Sequence, residues 1–154
     1  MDRLTLQFAS LEEALEYADQ LRNQQYQQLG QWNLVQCLGH LRFWLSFPMD
    51  GFPAPGFPFN LILPVLRITS GKSMLKSILK DGFKPGSPTV PSTVPDPSGV
   101  EIEQAIGDLA STIERFCLFS GEIQPSPLFG AMDKETAMKL QLRHFEHHLG
   151  FFKP

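Results

Sequence analysis

The sequence predicts an all-α fold, a four-helix bundle with one long Pro-rich crossover between its second and third helices. Three observations point to it. Ser10 with Glu13, and Ser98 with Glu101, make Ser-x-x-Glu patterns that each open an apolar helical spacing. Ten of the thirteen prolines fall between Pro48 and Pro97, which confines long helices to the flanking regions. No stretch alternates apolar and polar residues convincingly at period two, so a sheet of any size is not expected.

Each element has its own signal. Ser10 opens a first helix that runs to about Leu29, where Gly30 supplies a C-terminal stop. Asn33, with Gln36 three residues later, starts a second, carried through Leu34, Leu38, Leu41 and Leu45 until Pro48. Over residues 60–80 the spacing of Leu66, Met74, Leu75, Ile78 and Leu79 is helix-like, but Pro64 and Gly71 limit it to one or two short helices. Residues 81–97 read as irregular or extended loop, rich in Pro, Ser, Thr and Gly. Ser98 and Glu101 begin a third helix through Ile102, Ile106, Leu109, Ile113 and Phe116, ending near Gly121. Asp133 caps a fourth that reaches about Phe152. The echo Gly51-Phe52-Pro53 and Gly56-Phe57-Pro58 is too short for an architectural repeat and reads as a Pro-stiffened loop packing its Phe residues on the bundle.

Composition narrows the class. A chain of 154 residues, 42% hydrophobic and 19% charged, suits a single domain over 1–154 with one buried core. A net charge of -3, with no run of Lys and Arg among aromatics, argues against a nucleic-acid partner. The longest apolar stretch, Phe59 to Leu66, is broken by Asn60 and Pro64 and falls far short of the roughly 20 residues that span a bilayer. Nor does the start of the chain resemble an export signal, so the cytoplasm is the expected compartment and a membrane is not an expected partner. Cys37 and Cys117 are too few for a disulfide framework and read as buried thiols. Bundles of this size often bury a spare apolar stripe in a homodimer, which is therefore compatible with the sequence.

The chemistry concentrates in His144-Phe145-Glu146-His147-His148. At about 100° per residue, taking Ala137 as zero, His144 and His148 fall within about 20° on either side, with Gln141 at about 40°. Glu135, Lys139, Arg143, Glu146 and Lys153 fall between about 160° and 240°, which makes Glu146 a solvated surface charge on this reading. His147 sits at the edge, near about 280°. Two imidazoles four residues apart on one helix face have the spacing that chelates a divalent cation, although such pairs are more often surface or core groups than ligands. His40 raises the odds, because in the second helix it lies between Asn33, Cys37, Trp44 and Phe47, away from Gly39, Arg42 and Ser46. Cys37 is a conceivable fourth, soft ligand, but a buried thiol beside Trp44 is the simpler reading.

Rival motifs fail by position. The zincin pattern His-Glu-x-x-His is not met, and its inverted form needs a histidine where Arg143 stands. Ser70-Gly71-Lys72-Ser73 resembles the end of a phosphate loop, but the earlier glycine that motif requires falls at Leu66. No Gly-x-Ser-x-Gly elbow occurs.

Trp32-Asn33-Leu34-Val35-Gln36-Cys37-Leu38-Gly39-His40-Leu41 and the closing His144–His148 segment resemble the DinB-like, or YfiT-like, superfamily of four-helix metalloenzymes. Pro127-Leu128-Phe129-Gly130, then Met132-Asp133 and the final His-x-x-His-His helix, are similar to a narrower branch labelled as a domain of unknown function. The resemblance runs in order over nearly the whole chain. It implies His40, His144 and His148 as three metal ligands, with His147 an extra residue beside the site, and zinc or nickel as the cation. It also implies metal-dependent chemistry, in some relatives thiol transfer or isomerisation with a low-molecular-weight thiol. Independently of it, three neutral imidazoles leave a divalent cation at least one open position, where a water or a substrate thiol is acidified. Glu103, Asp108 and Glu114 of the third helix read as surface charge or support, and no general base is assigned. The expected function is thus a metal-dependent hydrolase or thiol transferase acting on a small molecule, against the alternative of a non-catalytic, metal-stabilised interaction module.

Overall fold

A computed structural model describes residues 3–86, 89 and 93–154, in which the chain is mostly helical. Helix α1, Leu11–Arg22, is capped by Ser10, whose Oγ accepts from the Glu13 amide at 3.2 Å, while the Glu13 carboxylate reaches back to the Ala9 amide at 2.5 Å. Leu11, Ala14, Ala18 and Leu21 form its buried stripe. It stops at Arg22 instead of running to about Leu29, because the next residues are recruited elsewhere. Gln27–Gln28 (β1) pair antiparallel with Phe152–Lys153 (β2), the Leu29 amide donates to the Phe151 carbonyl at 2.8 Å, and the Tyr26 ring meets Phe152 edge-on. This two-rung ladder, the sheet found among the described residues, also ends the last helix at Leu149, short of the expected Phe152. Tertiary pairing has overridden helical periodicity at both ends.

Helix α2, Leu34–Asp50, carries the complete Asn33–Gln36 capping box and buries Leu34, Cys37, Leu38, His40, Leu41, Leu45 and Met49. It continues past Pro48. A proline there cannot donate to the Trp44 carbonyl, and the Gln141 side-chain amide donates in its place at 3.0 Å. Residues 59–81 hold the two short helices the spacing allows, α3 (Phe59–Leu66) and α4 (Lys72–Asp81), but no break separates them, because a π-helical turn (Arg67–Gly71) joins them into one run. Gly71 is no breaker. It is buried, and a Cβ there would collide with the Leu128 carbonyl oxygen, so glycine lets the 126–130 loop press against the turn. The Ser70–Ser73 segment is therefore helical and has no strand before it.

Helix α5, Ile102–Leu118, begins after Glu101 without a side-chain cap. The Ser98 amide bonds the Asp96 carboxylate at 2.9 Å in a turn, so the expected Ser98–Glu101 box does not form. Helix α6, Lys134–Leu149, starts where Asp133 accepts from the Thr136 amide at 2.7 Å. Helix α2 packs on α5 and α6, and α1 packs on the same two. The shared core holds Leu11, Leu38, Leu41, Leu45, Leu109, Phe116, Phe145 and Leu149, each fully buried and each worth about 1.5–3 kcal/mol of transfer free energy. Residues 51–101 connect α2 to α5, and of the loop expected over residues 81–97, residues 87, 88 and 90–92 lie outside the described residues. No helix of the described residues is long and apolar enough to cross a membrane.

Candidate metal centre

The packing of α2 against α6 brings three imidazoles together. Ala137, Gln141, Phe145 and Leu149 are buried at intervals of four and fix the rotation of α6, which carries His144 and His148 toward α2. His40 is buried on α2 between the core residues Cys37 and Leu41. The Nε2 atom of His144 lies 3.0 Å from that of His148 and 3.3 Å from that of His40, and one nitrogen from each of the three rings falls within a 4.8 Å cluster.

One hydrogen bond settles the His40 tautomer. Its Nδ1 lies 2.8 Å from the Thr93 carbonyl, which can only accept, so Nδ1 carries the proton and the Nε2 lone pair faces His144. The loop reaches this position because of Gly39, where an added Cβ would lie 2.7 Å from Pro95 Cγ. Three ring nitrogens this close, one of them certainly a lone pair, cannot all satisfy one another by hydrogen bonds. They suit a cation instead: tetrahedral coordination at about 2.0–2.1 Å puts ligand nitrogens about 3.3 Å apart.

Aromatic walls enclose the cluster. Trp32 stacks parallel on His148 at 5.2 Å between centroids, Trp44 meets His144 at 5.6 Å and Phe83 meets it at 5.4 Å. Removal from water is the chief reason that His40 is pushed down to about 4, and the same cause holds His144 and His148 well below the ordinary histidine range, with the neighbouring imidazoles adding to it. All three are neutral at physiological pH, the form that donates to a metal. His147 is also buried and lowered to about 4, by desolvation first and the Arg3 guanidinium next. It flanks His148 at 4.9 Å between ring centroids but is not part of the cluster.

Other candidates fall elsewhere. Glu146 is 6% exposed, not the solvated surface charge expected, because the N-terminal segment crosses that face of α6: its carboxylate accepts from the Phe8 amide at 3.1 Å and from Arg143 at 2.8 Å. Cys37 is fully buried, its thiol pushed well above the ordinary range by desolvation, and lies outside the cluster. Cys117 is only half-buried, with its thiol donating to Glu12 at 3.3 Å, so the expectation of two buried thiols holds for Cys37 alone. Asp108 pairs with Arg42 at 3.4 Å, Glu103 approaches Arg22 at 4.0 Å and Glu114 is exposed. Sequence reasoning missed Thr93 and Phe83. A backbone carbonyl delivered by a loop leaves no residue-type signal, whereas Trp32 stood inside the motif that carried the family resemblance.

No curated protein and no solved structure matches the chain. A protein family does, over residues 1–154, and the chain belongs to it: the family described as protein of unknown function (DUF1569).

Proposed function

We propose that this chain is a cytoplasmic, DinB-like metal-dependent enzyme, a single four-helix bundle of α1, α2, α5 and α6 with residues 51–101 as its crossover. In it His40, His144 and His148 hold one divalent cation, zinc or nickel, for hydrolysis or thiol transfer on a small molecule. The convergence of three ring nitrogens with the His40 tautomer set by Thr93 carries this reading. When bound, the cation supplies a Lewis-acidic position that acidifies a water or thiol and polarises a substrate. The chain's residues do the rest. Thr93 keeps the His40 lone pair aimed inward, and Trp32, Trp44 and Phe83 exclude bulk water from the flanks of the imidazoles.

A second reading, a non-catalytic module stabilised by its ion, is favoured by one observation: no carboxylate joins the cluster among the described residues, so none is in place as a general base. His40→Ala separates the two when thermal melting is measured beside turnover of a thiol-reactive electrophile, monobromobimane, with a low-molecular-weight thiol. An enzyme loses turnover with a melting temperature changed by no more than about 4 °C, roughly 1 kcal/mol for a chain of this size. Wild-type protein with no turnover, combined with a larger drop in the variant, leaves the structural module.

A further inference from the structure

Beside the histidines lies a second set of polar atoms that the metal centre does not use. Gln141 is 5% exposed, and its Nε2 donates to the Trp44 carbonyl at 3.0 Å. Because that carbonyl can only accept, the amide is oriented: Oε1 is directed elsewhere, and it is buried with no partner. The Trp44 indole Nε1 is buried and unpartnered too. Each such group costs about 1–3 kcal/mol when left unsatisfied, and folded chains carry few of them.

Both residues line one cavity of about 30 Å³, whose other walls include the apolar Phe52, Ile123, Phe129 and Met132 and the polar Gln124 and Ser126, the Ser126 Oγ already accepting from the Leu128 and Phe129 amides. No Lys, Arg, Asp or Glu lines it among the described residues. A water needs about 10–15 Å³ of such space, so there is room for a group of two or three heavy atoms. Trp44 touches the His144 ring, and Gln141 precedes His144 by one turn of α6.

We propose that this cavity is a subsite for a neutral hydroxyl or thiol on a short carbon stem, the anchoring end of the small-molecule substrate. Such a group accepts from the Trp44 indole N–H and donates to Gln141 Oε1, while its stem meets the apolar walls. A carboxylate or phosphate cannot donate and finds no cation there, and an ether satisfies only the indole. Anchoring at this point sets the rest of the substrate beside the imidazoles. The inference rests on the proposed function for that role only, because binding to the cavity is measurable without a metal.

The test uses the indole N–H signals of the full chain, which holds two tryptophans, assigned with Trp32→Phe. Titrating ethanol is expected to give a saturable shift of the Trp44 signal that sodium acetate does not reproduce, and Gln141→Leu is expected to abolish it. Gln141→Met, closer in length, serves should the leucine variant not fold. A Trp44 shift that grows linearly and matches that of Trp32, an equal response to acetate, or a saturable shift that survives in the folded Gln141 variant overturns the proposal. So does a water held against the indole that ethanol does not displace. Repeating the titration after zinc loading separates the two readings: ethanol binding without zinc uptake keeps the subsite and removes the metal centre.

Discussion

His40 donates from Nδ1 to Thr93, and this single bond determines that its other nitrogen meets His144 as a lone pair. The pH dependence of stability follows from the same burial. The folded-state value of His40 is depressed to about 4, against about 6.5 in the unfolded chain, so below about pH 6.5 the unfolded state binds the extra proton. Stability is therefore complete above about pH 6.5 and falls as pH drops toward about 4, by on the order of 3 kcal/mol for His40 alone. The depressed values of His144, His147 and His148 act in the same direction. Urea midpoints of metal-stripped protein measured across this window are expected to decline steeply with acidity, and a flat profile would contradict neutral, buried imidazoles.

Gly39 matters through the element it admits, the 93–95 segment that leans on α2. Gly39→Val places a branched side chain where Pro95 sits and is expected to cost about 1–3 kcal/mol of overpacking, read as a lowered urea midpoint, and to weaken zinc affinity by displacing Thr93. An unchanged midpoint and affinity would show that the segment is not held there. The opposite expectation applies to α3, which buries none of its residues and continues into the π turn with Leu61, Val65 and Ile68 facing solvent, Ile68 at 85% exposure. Leu61→Ser and Ile68→Ser are expected to change stability by no more than about 0.5 kcal/mol, whereas Leu41→Ala in the core costs about 2–5 kcal/mol. A loss above about 1 kcal/mol for either serine variant would mean that the stripe is covered in solution. Caps at Ser10, Asn33 and Asp133 were legible because each is a local hydrogen bond written in adjacent residues. The ends at Arg22 and Leu149 were not, because the pairing that stops both helices joins residues at opposite ends of the chain.

Across the whole molecule, periodicity placed His144 and His148 on one face of α6, and packing of that face against α2 placed His40 opposite them. Glu146 shows the limit of such angular reasoning. It lies on the face away from the histidines as expected, yet residues 3–8 return over that face and bury it, a contact no helical wheel contains. The burial that keeps the imidazoles neutral also depends on parts distant in sequence: Trp32 before α2, Phe83 after α4 and Thr93 in the connection. Elemental analysis of protein purified without a histidine tag tests the central claim most directly. The expected result is about one zinc or nickel ion per chain, lost in His40→Ala and in His144→Ala while both variants stay folded. Native protein that emerges without a divalent cation and takes none up from equimolar zinc would contradict the metal centre and the enzymatic function proposed for it.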